Sequence, residues 1–419
     1  MKTVSFNKYI LALFWPFVAL CVALKNRRQP WAMNVFWVVC IYLGVIQIYC
    51  PAGTILGEGA DGGRYAMQLI EMHKGNLSLL EEIARNFVYS NSMDYYQLIL
   101  TWLVSRFTDN AHVLFMCFAT VFGFFYSRNM WYVLNRTSGS LNKTAIIFVA
   151  ILFLVCPIWN INGVRMWTAA HVFMYALLPY ICEGNRKQLY WLIALPFIHF
   201  SFLYFVVLSA IVVLLPDRLT SNSNFVRWGL IAIFIGSIVL STINVPAITN
   251  TLEQFSPESY QDRIELYTRD SAFENQELGK MAVNWYVAAA SDIRFWVSNI
   301  LLLVMAFIGL NEVQDRKLLN YTLLISAIAN IASQIPSGER FLTIAHLFSY
   351  SLILWQIAKQ NRKNQIVNNV AHFAAVPLIV TILFGIRQGF EFYGISLFCG
   401  DFFTSLFWDN NVQLIRYLK

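Results

Sequence analysis

Four short clusters in the sequence hold residue types that could move a proton or grip an anion. The first is Gly57-Glu58-Gly59-Ala60-Asp61-Gly62-Gly63-Arg64-Tyr65. Its glycines allow a close-approaching backbone beside two carboxylates, Glu58 and Asp61, which suits a general base next to a ligand-gripping Arg64. A solvated glycine-rich turn would read the same way. The second is Asn162-Gly163-Val164-Arg165, which joins two apolar segments with almost no loop. A guanidinium there suits phosphate oxygens, or simply snorkels to the interface. The third is Ile198-His199-Phe200-Ser201, midway along a long apolar segment, where His199 could take a proton or be a satisfied core residue. The fourth is Ser337-Gly338-Glu339-Arg340, opening another apolar segment. An Arg at a helix N-terminus opposes the helix dipole, so an anion is expected beside Arg340, either Glu339 or a ligand phosphate. His171 reads as core, and Asp292 with Arg294 as an interfacial ion pair.

Apolar runs must position these clusters. Segments 9–24, 31–51, 92–107, 111–127, 144–160, 165–182, 189–215, 226–243, 293–311, 318–335, 340–358 and 369–386 are candidates to enter or cross a bilayer. Backbone polar groups cannot stay unpaired in lipid, so the fold class is all-α. The expectation is a polytopic integral membrane protein with about 10–12 transmembrane or re-entrant helices, residues 1–419 forming a single transmembrane domain. The first run lacks a clear small-residue cleavage site and reads as a retained helix.

Two polar stretches, 52–91 and 244–291, are expected as larger extracytoplasmic loops. In the first, Ser78 with Glu81 makes a capping box, followed by Leu80, Ile83 and Phe87 at helical spacing. That describes an amphipathic helix lying on the membrane surface. The second carries seven acidic residues against Arg263, Arg269 and Lys280, with a helix start at Ser256-Pro257. The tail 387–419 is aromatic-rich and partly interfacial.

Short basic loops set orientation. Those near Lys25–Arg28, Arg218/Arg227, Arg316/Lys317 and Lys359–Lys363 read as cytoplasmic. Arg128, Arg136 and Lys143 form another such loop, and Arg186 with Lys187 a further one. With all of these inside, Asn162–Arg165 lies outside, 92–107 dips without crossing, and 189–215 bends at Pro196–Ser201 to return to the same side. The competing arrangement makes every segment a single crossing and puts the two middle basic loops outside.

Composition excludes several function classes. Hydrophobic residues make up 58% and charged residues 13% of the chain, against about 25% charged in soluble domains. Mean hydropathy is +0.54. The net charge of +7 sits in short loops between apolar runs, which is topology-setting charge and argues against a nucleic-acid partner. The seven cysteines form no CxxC and read as small core hydrophobes. There is no P-loop, HExxH or nucleophile elbow, and no metal-ligand cluster is expected.

The run Asn162-Gly163-Val164-Arg165-Met166-Trp167-Thr168-Ala169 resembles the N-x-I-R-Q-x-x-A signature of the EpsG family of Wzy-like bacterial polysaccharide polymerases. His199 and Ser201 match that family's H-x-S, Asp61 and Tyr65 an early D-x-x-x-Y, and Glu339 and Arg340 a late E-R. Val164 and Met166 stand where the family has Ile and Gln, and Ile198 stands where an aromatic is usual. The resemblance implies polymerisation of undecaprenyl-pyrophosphate-linked oligosaccharide repeat units, giving an O-antigen, capsule or exopolysaccharide. That activity would sit at the outer face of the bacterial inner membrane, without a cofactor. It implies Asp61, Arg165, His199 and Arg340 as catalytic residues. Glu58, Arg64, Tyr65, Asn162, Ser201 and Glu339 would bind substrate. A chain-length regulator and a flippase are the implied partners. The rivals are a lipid-linked oligosaccharide transporter, a membrane O-acyltransferase using His199, and a glycan ligase that shares the polymerase chemistry.

Overall fold

The computed structural model describes residues 2–56, 61–90, 94–137, 141–214, 223–242, 284–334, 338–359, 362–407 and 411–418. Among the described residues every element is helical and no strand occurs. In chain order the helices are α1 (Lys2–Phe14), α2 (Pro16–Lys25), α3 (Ala32–Val45), α4 (Asp61–Lys74), α5 (Leu79–Ser90) and α6 (Tyr95–Ser105). Then come α7 (Ala111–Asn135), α8 (Lys143–Val155), a 3-10 turn (Ile158–Gly163), α9 (Val164–Glu183), α10 (Trp191–Ile198) and α11 (Phe202–Leu214). The rest are α12 (Asn224–Thr242), α13 (Trp285–Ile308), α14 (Val313–Ala332), α15 (Arg340–Ala358), α16 (Arg362–Phe392), α17 (Ser396–Cys399) and α18 (Phe402–Ser405). Six stretches among the described residues are long and apolar enough to cross a membrane: α7, Lys143–Glu183, α12, α13, α15 and most of α16. The protein is an all-α polytopic membrane protein. Glu58, Arg218, Ser337 and the helix start expected at Ser256-Pro257 lie outside the described residues.

Several expected elements take a different form. Segment 9–24 is not one helix. Trp15 leaves helical geometry (φ −150°, ψ 74°) ahead of Pro16, because the proline ring crowds the residue before it. Its indole instead donates to the Phe398 carbonyl at 3.0 Å. The 52–91 stretch is not a plain loop, since it holds α4 and α5. Asp61-Gly62-Gly63 is the first turn of α4 with both glycines buried, rather than a solvated turn. The Ser78–Glu81 capping box forms as expected: Ser78 N–H donates to Glu81 Oε2 (2.7 Å), and Glu81 N–H to Ser78 Oγ (3.3 Å). These bonds hold the Glu81 carboxyl below its ordinary range. On α5, Leu80, Phe87 and Val88 are exposed on one face, as a surface-lying helix requires.

The two middle segments are short or broken, as the bent arrangement requires. Helix α6 has 11 residues, about 16 Å at 1.5 Å per residue, half a bilayer core of about 30 Å. Segment 189–215 divides at His199–Ser201 into α10 and α11.

Charge sorts to opposite ends of the bundle. Trp131 Nε1 donates to the Arg27 carbonyl (3.0 Å), and Arg136 pairs with Glu183 (2.8 Å). Trp355 Nε1 bonds to the Val133 carbonyl (2.9 Å), and Lys359 pairs with Asp315 (2.6 Å) and Glu312 (2.7 Å). Lys317 sits over the Tyr180 ring at 4.6 Å. The N-terminal, middle and late basic loops are therefore neighbours at one end, the end that the positive-inside rule expects in the cytoplasm. At the other end the chain beyond α3 meets the tail. Ile48 N–H donates to the Phe392 carbonyl (2.8 Å), Leu414 N–H to the Tyr393 carbonyl (2.8 Å), and Gln47 Nε2 to the Trp159 carbonyl (3.0 Å). On α16, Phe373, Val376, Ile379 and Leu383 are exposed and form a lipid-facing stripe.

This sidedness has a direct test. In a background with the native cysteines replaced, Asn26→Cys and Lys187→Cys should react with a membrane-impermeant maleimide from the same side. Thr54→Cys should react only from the other. Opposite labelling of the Asn26 and Lys187 positions would instead support a single crossing by every segment.

Candidate functional site at the end opposite the basic loops

The site is assembled from helix ends. Helices α4 and α6 run side by side in the same direction. Gln97 Nε2 donates to Gln68 Oε1 (2.8 Å), and His73 Nδ1 lies 2.6 Å from the Ser105 carbonyl near their C-termini. The Arg106 guanidinium completes the join at the Met72 carbonyl. Their N-termini therefore point the same way, each carrying an acid, Asp61 in the first turn of α4 and Asp94 at the N-cap of α6. Carboxylates suit the positive end of a helix dipole.

Asp94 makes no capping bond with its own helix. It is 6% exposed, and both its oxygens reach to other elements. Oδ2 pairs with Arg165 Nη1 at 3.1 Å, and Oδ1 accepts the Phe200 N–H at 2.7 Å. The second bond exists because α10 stops at Ile198, shortly after Pro196. His199 is extended (φ −152°, ψ 116°), which takes the following N–H out of the helical ladder. Asp94 supplies its acceptor. Within the bend, His199 Nδ1 and Ser201 Oγ share a hydrogen bond of 2.7 Å, which orients the imidazole.

The break between α8 and α9 brings in the rest. A Cβ placed on Gly62 would collide with Asn162 Oδ1, so with glycine there α4 lies against the 3-10 turn without displacing the Asn162 side chain. A Cβ on Gly163 would lie 3.9 Å from Asp61 Oδ2, which puts that carboxylate against the start of α9. Asp61 also pairs with the exposed Arg64 one turn along. The Tyr65 hydroxyl is buried beside the Arg165 guanidinium and within electrostatic reach of Asp61. Burial raises its pKa, against the pull of Arg165, so the phenol stays protonated at neutral pH and serves as a donor.

Asp61, Arg64, Tyr65, Asn162, Arg165, His199 and Ser201 thus share one locus. Asp94, at its centre, escapes a reading of the sequence that looks for glycine-rich or basic motifs. Its signal was an acid immediately before an apolar run. Arg340 and Glu339 stand apart and are exposed at the start of α15. Among the described residues no hydrogen bond or ion pair engages the Arg340 side chain, so Glu339 is not its counter-ion. Their link to the locus is aromatic: Phe341 packs on Phe205 (5.3 Å), Phe205 on Phe202 (5.6 Å), and Phe202 on the His199 ring (6.2 Å). Two further expectations divide. His171 is a core residue as expected, with Nε2 2.9 Å from the Cys156 carbonyl. The Asp292–Arg294 pair does not form, because residues two apart point to different sides of a helix and Asp292 is exposed. Among the described residues no group of three or more His, Cys, Asp or Glu could hold a metal ion.

Asp94→Ala should release the bend at Phe200. A hydrogen bond to a charged group contributes about 1.5–3 kcal/mol, so the Phe200 amide should exchange with deuterium at least about tenfold faster. Hydrogen-exchange mass spectrometry of the His199–Ser201 peptide reads this. Unchanged exchange would mean that Asp94 does not hold the bend.

No curated protein and no solved structure matches the chain. The model of the EpsG family does match, over residues 36–396. With the match covering most of its length, the chain belongs to the EpsG family.

Proposed function

We propose that this protein, whose family supports a role in polysaccharide biosynthesis, polymerises oligosaccharide repeat units carried on undecaprenyl diphosphate, at the outer face of the bacterial inner membrane. The observation that carries the reading is the meeting of Asp61, Tyr65, Asp94, Arg165 and the His199 bend at the end of the bundle opposite its basic loops. A lipid-linked sugar would present its diphosphate at that depth.

In the proposed reaction a hydroxyl of the acceptor repeat unit attacks the anomeric carbon of the growing chain. The new glycosidic C–O bond forms as the bond to the diphosphate oxygen breaks, and undecaprenyl diphosphate leaves with the bonding pair. The acceptor's proton passes to a base. Asp61, with its side chain 27% exposed against 6% for that of Asp94, is the more accessible carboxylate and takes that role. Asp94 is a positioning residue, fixing Arg165 and the imidazole bend. Arg165 and Arg340 offset the charge that develops on the leaving diphosphate, and Tyr65 donates a hydrogen bond. Two lipid-anchored substrates held at one membrane face gain a large effective concentration. No step calls for a nucleotide.

The test is reconstitution of the purified protein with the host's undecaprenyl-linked repeat unit, without metal or nucleotide, followed by a gel. A ladder spaced by one repeat unit is expected. Arg165→Lys keeps the charge but loses the planar fork, and should lower polymer yield by about 10-fold or more. Movement of the repeat unit across the membrane without a ladder would point to a transporter. A repeat unit left unpolymerised and unmoved would point to an acyltransferase, whose acyl donor this assay omits.

A further inference from the structure

A second cationic site lies deeper than the first, between α13, α15 and the break that follows α8. Arg294 sits about 14 Å along α13 from Trp285. It is within electrostatic reach of His346, Tyr350 and Cys156, and the Tyr350 hydroxyl donates to its backbone carbonyl at 2.8 Å. Its Nε is buried with no hydrogen-bond partner. His346, 4% exposed, has a buried Nδ1 that is likewise without one. Among the described residues no carboxylate pairs with this guanidinium. A charge at bilayer depth with free donors beside it is costly unless an anion completes it. On α15, Arg340, Thr343, His346 and Tyr350 recur every three or four residues and share one face. That face descends from the exposed Arg340 to Arg294. Arg165 is different in kind, since Asp94 already compensates it.

We propose that Arg294 and His346 form a buried oxyanion site, entered past Arg340, that takes the diphosphate of a polyprenyl-diphosphate lipid. The proposal rests on the lipid-diphosphate reading above and identifies where the second of two such groups is held. The unpartnered Nε edge of a guanidinium is the geometry that grips two phosphate oxygens at once, and His346 adds a third donor. The Arg165 locus then serves the proton and the leaving diphosphate, and the Arg294 locus holds the diphosphate of the second lipid.

The full-length protein in phosphatidylcholine nanodiscs can be titrated with radiolabelled undecaprenyl diphosphate bearing no sugar. Arg294→Gln should weaken binding about tenfold or more, and His346→Gln several-fold. Inorganic pyrophosphate should compete, and phosphatidylglycerol should not. Equal binding by wild type and Arg294→Gln overturns the site. Displacement by phosphatidylglycerol at matched concentration overturns its assignment to a diphosphate lipid. Should Arg294→Gln not fold, His346→Gln and Arg294→Lys, which keep the buried cation, carry the same comparison. The repeat-unit ladder separates the two proposals. Arg294-dependent binding without any ladder would sink the polymerase reading and keep the site. A ladder with binding untouched by these substitutions would do the reverse.

Discussion

A single buried carboxylate joins three parts of the chain that are far apart in sequence. Asp94 receives Arg165 from the start of α9 and the Phe200 amide from the α10–α11 bend, while it opens α6. Each partner alone would be a problem at this depth: a cation without a counter-charge, and an N–H outside any helical ladder. One acid answers both. Breaking such a pair by removing one partner is typically worse than never having had it, about 3–5 kcal/mol when fully buried and less here, where Arg165 is a third exposed. The arrangement fixes the height of the imidazole relative to the guanidinium, which matters for any reaction that must place a proton acceptor and an anion stabiliser on the same substrate.

Much of the fold was legible because bilayer thickness sets a length scale that apolar runs must obey. The runs 111–127, 165–182 and 340–358 agree closely with α7, α9 and α15 at their N-termini. The failures have local causes. Trp15 before Pro16 splits a run whose composition alone looks continuous. Gly62 looks like part of a turn in sequence, yet it opens a helix where a Cβ would meet the Asn162 side chain. Arg294 looked like half of an ion pair because Asp292 is near in sequence, whereas helical geometry separates them and turns the Arg inward. In the candidate site, Asp61, Asn162, Arg165, His199 and Ser201 were all visible as motifs. Asp94 was not, because its importance lies wholly in partners distant along the chain.

Charge is segregated along the bundle as well as across it. At the basic end, cations are tied into pairs with Glu183, Glu312 and Asp315 or laid on aromatic faces, as Arg128 is over Phe124 at 4.0 Å. At the opposite end acids are more numerous, yet the two cations of α13 and α15 pair with none of them among the described residues. The first arrangement is that of an orientation anchor. The second leaves two cations uncompensated at the end opposite that anchor.

The closure between Ile48 and Phe392 bears on how the protein is made. At a synthesis rate of roughly 5–20 residues per second, the later partner emerges on the order of 20–70 s after the earlier one. During that interval the chain beyond α3 has neither its tail nor α13 and α15 to pack against. The Asp94–Arg165–Phe200 core can form from the first half alone, while the cationic face of α13 and α15 must be added afterward. Biogenesis therefore builds the proton-handling side first, and a ribosome-stalled fragment ending before Trp285 would contain that half-site without the cations that face it.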